Sequence, residues 1–168
     1  MKTYQKKVCL LGDFAVGKSS LVRRYVEGIF DEKYLTTVGV VVSRKSVILE
    51  DHLVNLLIWD LAGGRDFSHT GYLIGVAGVL LVCDLTRYAT MATHRIYAEQ
   101  VRAFNPNASF TLVANKADLA EARTISDEEL QAISIELRAP LFITSAKTGE
   151  MVESVFNHLA QELIAKER

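Results

Sequence analysis

Gly12-Asp13-Phe14-Ala15-Val16-Gly17-Lys18-Ser19 is the stretch that decides the fold. Its spacing is G-x-x-x-x-G-K-[ST]. An apolar run, Val8–Leu11, leads into it, and the segment after it, Gly17–Tyr25, carries Leu21, Val22 and Tyr25 at helical spacing. A strand that passes through a glycine-rich loop into a helix turns backbone N–H groups and a helix N-terminus toward an anion. Gly12 and Gly17 let the backbone wrap closely around a phosphate, with Asp13, Ala15, Val16 and Ser20 in the same cradle. Lys18 is placed to reach the β- and γ-phosphates of a nucleotide, and the Ser19 hydroxyl to ligate Mg2+.

Outward from this loop the chain keeps alternating strand and helix. Val40–Leu49 is β-branched and partly alternating, Asp51–His52 offers a turn, and Leu53–Trp59 is a second strand, so the pair predicts a hairpin. Val76–Cys83, Phe110–Val113 and Pro140–Thr144 read as further strands. Thr93–Phe104, Asp127–Leu137 and Met151–Ala165 read as helices, the last with Val152, Val155, Phe156, Leu159 and Leu163 on one face. Ser126 and Glu129 form a capping-box signature at the start of the second of these. Gly28–Gly39 and Leu61–Gly75 show no clean period and read as loops. Continuously apolar strands imply a sheet covered on both faces, with helices as cover and right-handed crossovers. The expected fold is a three-layer α/β phosphate-loop architecture with six strands and about five helices. Ligands of such sheets bind outside the carboxyl ends of the strands, where the chemistry-bearing loops fall.

Composition narrows the class further. The 168 residues suit one domain, 1–168, and 49% hydrophobic with 23% charged residues excludes a disordered chain. With 19 basic and 20 acidic residues the net charge is −1, so no global attraction to nucleic acid is expected. Cys9 and Cys83 lie in apolar strands and read as small buried hydrophobes. The scattered histidines support no zinc site. The longest apolar stretch, Leu73–Cys83, falls well short of the roughly 20 residues of a membrane span, and no signal peptide is readable. A cytoplasmic location is expected.

Three further segments carry chemistry. Trp59-Asp60-Leu61-Ala62-Gly63 ends a strand in a carboxylate, so Asp60 can hold Mg2+ through a water while the Gly63 N–H approaches a γ-phosphate. A hydroxyl in the loop before the second strand, Thr36 or Thr37, could complete the Mg2+ shell and tie that loop to the triphosphate. Asn115-Lys116-Ala117-Asp118 follows a strand. Asp118 can accept from both guanine N1–H and the 2-amino group, donors that adenine lacks there. Asn115 can bridge base and phosphate loop, and the Lys116 stem can cover a base face. Ser145-Ala146-Lys147 follows the next strand, with the Ala146 N–H toward guanine O6 and Lys147 over the base or ribose. Phe30 could pack on the base edge.

Together these loops resemble the Ras/Rab-type small GTPases over nearly the whole chain. GDFAVGKSS, YLTTVG, WDLAGG, NKAD and SAK occur in the family's order. The resemblance implies a sheet of order 2-3-1-4-5-6 with strand 2 antiparallel. It implies a GTP/GDP switch with Mg2+, effectors at the two switch segments, exchange factors and activating proteins. Thr37, nineteen residues after Lys18, takes the place of the switch threonine, and Phe30, twelve after Lys18, that of the guanine-packing phenylalanine.

The chain also departs from the family pattern. Gly64 stands where the family carries the glutamine that orients attacking water, and the stretch from Gly64 to Asp84 is shorter than in Rab proteins. Phe14 fills a phosphate-loop position that Ras gives to glycine and Rab proteins often to serine. Slow unaided hydrolysis is therefore expected, with Lys18, Thr37 and Gly63 at the phosphates. Arg65 or His69 in cis, or a partner in trans, are the candidate substitutes for the missing group. The chain ends QELIAKER without a C-terminal cysteine and begins without Met-Gly, so no direct membrane anchor is readable. That suits an atypical member, either soluble like prokaryotic Ras-like proteins or a trimmed domain. The alternative to a cycling switch is a guanine-nucleotide-bound interaction module that does not cycle. Val38, Val40, Val41, Phe67, Tyr72 and Leu73 are the candidate apolar partner surface, with sheet or helix core as the other reading.

Overall fold

The computed structural model describes residues 1–32, 39–63 and 70–168. Its strands are β1 (Lys2–Leu11), β2 (Val40–Leu49), β3 (His52–Leu61), β4 (Gly78–Asp84), β5 (Ser109–Asn115) and β6 (Leu141–Ile143). Its α-helices are α1 (Lys18–Glu27), a single turn α2 (Ala89–Ala92), α3 (His94–Phe104), α4 (Asp127–Leu137) and α5 (Val152–Ala165). Short 3-10 turns cover Thr70–Leu73 and Ala120–Ala122. The six strands form one sheet of order β2-β3-β1-β4-β5-β6. β2 runs antiparallel to β3, from Val40↔Leu61 to Leu49↔His52, and the other pairings are parallel.

Alternate residues of each strand feed two separate cores. Val8, Leu10, Leu56, Ile58, Leu80 and Val82 pack beneath α1 and α5. Cys9, Leu11, Val79, Leu81 and Cys83 pack beneath α3 and α4. This is why β4 and β5 are buried at every position, and why β4 reads as a near-continuous apolar run. The Tyr25 and Phe156 rings stack at 4.0 Å between centroids and lock α1 to α5. Cys9 and Cys83 are free and buried, as expected of small hydrophobes.

β1 begins six residues earlier than its apolar run. Lys2–Lys7 are polar but pair in parallel register with His52–Leu57, so the backbone ladder extends the strand where side-chain pattern is silent. Ser126 caps α4 as expected: its hydroxyl accepts from the Glu129 N–H, and the Glu129 carboxylate accepts from the Ser126 N–H.

The parallel strands finish in line. Leu11 pairs with Leu81, Leu10 with Asp60, Asp84 with Asn115, and Ala114 with Ile143. The loops at residues 12–17, 62–63, 116–118 and 144–147 therefore leave the sheet along one edge and surround one cleft.

Candidate functional site

The cleft has a volume of about 420 Å3, within the usual range for a ligand the size of a nucleotide. Phe14, Lys18, Ser19, Phe30, Gly63, Asp118 and Lys147 are among its walls. Its phosphate-like end is built around Gly17, which caps α1 with a φ of 102°, in the left-handed region. A Cβ there would also lie 2.3 Å from Asn115 Nδ2, so only glycine fits. No side chain caps α1, and its first turn carries no acidic residue. The contrast is α4, whose first turn holds Asp127, Glu128 and Glu129 behind the Ser126 cap. One helix satisfies its own N-terminus, while the other presents its N–H groups and positive dipole to the cleft.

Lys18 sits at the base of this end and is almost fully buried. Its Nζ donates to the Gly12 carbonyl at 3.0 Å and the Asp13 carbonyl at 3.2 Å. Burial pushes its pKa down; Asp60 and Asp13 oppose that, and Arg87 adds to it. A buried ammonium held by two carbonyls suits an incoming anion, which would favour its charged form against the cost of burial. Ser19 Oγ hydrogen-bonds Asp60 Oδ2, so the helix hydroxyl and the β3 carboxylate meet at one point. That oxygen pair fits a small hard cation. Gly63 closes this end: a Cβ on it would lie 2.8 Å from the Phe14 nitrogen and 2.9 Å from the Asp13 carbonyl carbon. Only a bare backbone can approach the loop so closely.

The other end is tied to the first by Asn115, which is buried. Its Nδ2 donates to the Val16 carbonyl at 3.0 Å, and its Oδ1 accepts from the Thr144 hydroxyl at 3.1 Å and the Ala146 N–H at 3.2 Å. Lys116, at φ 71°, sends its Nζ to the Ala15 carbonyl at 2.9 Å. Asp118 Oδ1 accepts from the Ser145 hydroxyl at 2.8 Å, and Ser145 Oγ accepts from the Thr148 N–H. The Ala146 N–H, expected to face a base, is thus on Asn115 here. Lys147 Nζ reaches Glu32 across the mouth at 3.4 Å. Phe30 lines the cleft with its edge on the first core, and Ser20 lines it from α1.

The Ras family profile matches residues 7–165. Ras-related protein Rab5A of Oryza sativa subsp. japonica is 35% identical over 166 residues, covering 97% of this chain and 82% of that protein. Ras-related protein RABF2a of Arabidopsis thaliana is 34% identical over 165 residues, covering 96% and 82%. The chain belongs to the Ras family. Membership carries the family's general chemistry: a small-GTPase switch, guanine nucleotide with Mg2+, and effectors, exchange factors and activating proteins as partners.

In this Ras-family chain, Thr37, Gly64, Arg65 and His69 lie outside the described residues, as do Val38 and Phe67. Of the expected partner surface, Val41 is half exposed and Val40 and Tyr72 pack partly on the second core. For Leu73 the core reading holds: it closes the 3-10 turn and is fully buried. Phe14 is 59% exposed at the cleft mouth, so its ring is not core. Among the described residues no helix is long and apolar enough to cross a membrane.

Four supporting residues escaped motif reading. Arg24 of α1 donates from Nε to the Ala146 carbonyl at 2.8 Å and from Nη2 to the Lys147 carbonyl, fixing the third loop. The Tyr97 hydroxyl of α3 donates to Asp13 Oδ1 at 3.2 Å. Asp84, the last residue of β4, accepts from Arg87 Nε, and Arg87 Nη2 donates to the Phe14 carbonyl of the phosphate loop. The nearest available signal was their position at a strand end or on a helix; the loop groups they reach, at Ala146, Asp13 and Phe14, lie far away in sequence.

Proposed function

We propose that residues 1–168 form one guanine-nucleotide domain that acts in the cytoplasm as a GTP/GDP switch with slow or partner-dependent hydrolysis. The buried Lys18 ammonium beside the uncapped start of α1 carries this reading. The backbone of Gly12–Gly17, with Asp13, Ala15, Val16 and Ser20, surrounds the phosphates, and Lys18 neutralises their charge. Asn115 holds the base loop to the phosphate loop, and Asp118 selects guanine by accepting from its two adjacent donors. Phe30, Lys116, Ser145, Ala146 and Lys147 complete the base pocket. Ser19 and Thr37 are the direct Mg2+ ligands and Asp60 holds it through a water; the meeting of Ser19 and Asp60 supports the set. Bound Mg2+ supplies neutralisation of phosphate charge. The contributions of the chain are positioning by the Gly63 and Thr37 N–H groups and exclusion of water by the surrounding loops.

Hydrolysis is slow because Gly64 has no side-chain amide to orient water. Arg65 is the cis candidate for stabilising the developing charge. Phe14, exposed at the mouth, stands in the approach of any group supplied in trans, which favours the second reading of a nucleotide-bound module that does not cycle. Single-turnover phosphate release from GTP-loaded protein separates the two. Gly64→Gln should raise the rate if the missing amide limits it, and Arg65→Ala should lower whatever rate remains. Brisk turnover by the unchanged protein would overturn the account. Switch behaviour itself requires that Thr37 and the Gly63 region differ between the GDP and GTP-analogue forms.

A further inference from the structure

We propose that Arg87 is a positioning residue for the phosphate loop, a two-ended bridge that fixes the Phe14 carbonyl against the carboxyl end of β4. This rests on the nucleotide-binding reading above. Asp84, the last residue of β4, is buried and fully engaged. Its Oδ1 accepts from the Thr86 N–H at 2.8 Å and the Thr86 hydroxyl at 2.7 Å. Its Oδ2 meets Lys116 Nζ at 2.8 Å and Arg87 Nε at 3.0 Å. Burial alone would raise the Asp84 pKa, but these donors outweigh it and hold the carboxyl below its usual range.

Both cations continue to the phosphate loop. Lys116 Nζ donates to the Ala15 carbonyl at 2.9 Å, and Arg87 Nη2 to the Phe14 carbonyl at 2.6 Å. Two consecutive loop carbonyls are thus held by two cations that share one carboxylate. The loop needs such support, because Ala15 is a non-glycine residue at φ 59° and its neighbours stand outside regular structure. Lys116 serves its two acceptors from the single Nζ, whereas Arg87 reaches Asp84 and the Phe14 carbonyl from two nitrogens set apart in a rigid plane, a span that one ammonium nitrogen does not reproduce. Arg87 is itself anchored: its N–H donates to the Asp84 carbonyl at 2.9 Å, and its carbonyl accepts from the Thr90 hydroxyl at 2.7 Å. The bridge therefore transmits the position of the sheet to the loop segment that faces Gly63.

The test follows release of a fluorescent GDP analogue from the full chain after addition of excess GDP. Arg87→Ala should release it about tenfold faster, the loss of one charge-assisted hydrogen bond. Arg87→Lys should release it as fast as Arg87→Ala. Guanosine, which lacks phosphates, should bind both variants like the unchanged protein when read by competition. Thermal unfolding of the nucleotide-free variants should stay close to that of the parent, because Asp84 keeps Lys116 and Thr86. Unchanged release from Arg87→Ala overturns the proposal, as does full retention by Arg87→Lys, which would reduce the role to charge. Equal loss of guanosine and GDP binding also overturns it, since it would mark a general fold defect. Failure of the parent chain to hold the GDP analogue would instead sink the nucleotide reading, and the bridge with it.

Discussion

Replacing His94 with leucine should remove an acid-sensitive weakness from the second core. His94 opens α3 and is fully buried, and among the described residues neither ring nitrogen has a hydrogen-bond partner. Burial pushes its pKa down from 6.5 to about 4. The unfolded chain therefore binds the proton more readily than the folded one. The native state keeps its full stability above pH 6.5 and loses this contribution as the pH falls toward about 4. At about 1.4 kcal/mol per pH unit, the whole window is worth about 3 kcal/mol. About 2 kcal/mol of that should be lost between pH 7.5 and pH 5. Leucine is similar in size and does not titrate. Urea unfolding, followed through the single tryptophan, Trp59, gives the free energy for both proteins at matched nucleotide content. The stability difference, variant minus parent, should grow by about 2 kcal/mol over that pH range, while carboxylates common to both cancel. Parallel pH profiles would refute the burial argument. The effect has a route to function, because Tyr97, one turn along α3, supports Asp13 of the phosphate loop.

Asn115→Ala leaves the Val16 carbonyl, the Thr144 hydroxyl and the Ala146 N–H without their partner in a buried place. At about 1 kcal/mol each, stopped-flow release of a GDP analogue should quicken by about a hundredfold, and an unchanged rate would contradict the hub role. Burial pushes the Cys9 and Cys83 thiols up to about 12, so neither should react with an aromatic disulfide reagent in the native protein at mildly alkaline pH. Both should react on denaturation, and rapid labelling of the native protein would contradict their placement.

Local pattern reached far into this fold. The bounds of β2 and α4, the hairpin, the Ser126 capping box and the two-sided sheet were all legible, because each depends on side-chain period or on residues three apart. The polar half of β1 was not, because its strand character comes from the ladder with β3. The four residues of α2 are too few to show a period. Leu73 could be read as surface or core, and only the turn over Thr70–Leu73 decides for core. In the candidate site, the motif residues were legible as types at fixed spacing. Their braces were not: Arg24 meets Ala146, Tyr97 meets Asp13, and Arg87 meets Phe14 through the order of strands in the sheet.

The central claim, that this cleft holds guanine nucleotide by Lys18 at one end and Asp118 at the other, is tested most directly by competition binding. A fluorescent GDP analogue with Mg2+ is displaced by unlabelled GDP, GTP or ATP, using the parent chain and Asp118→Ala. The account predicts tight, comparable displacement by GDP and GTP, and ATP weaker by about a thousandfold, since adenine offers no donor pair to the carboxylate. Asp118→Ala should lose most of that preference. Equal displacement by ATP and GDP, or a preference that survives the loss of Asp118, would contradict it.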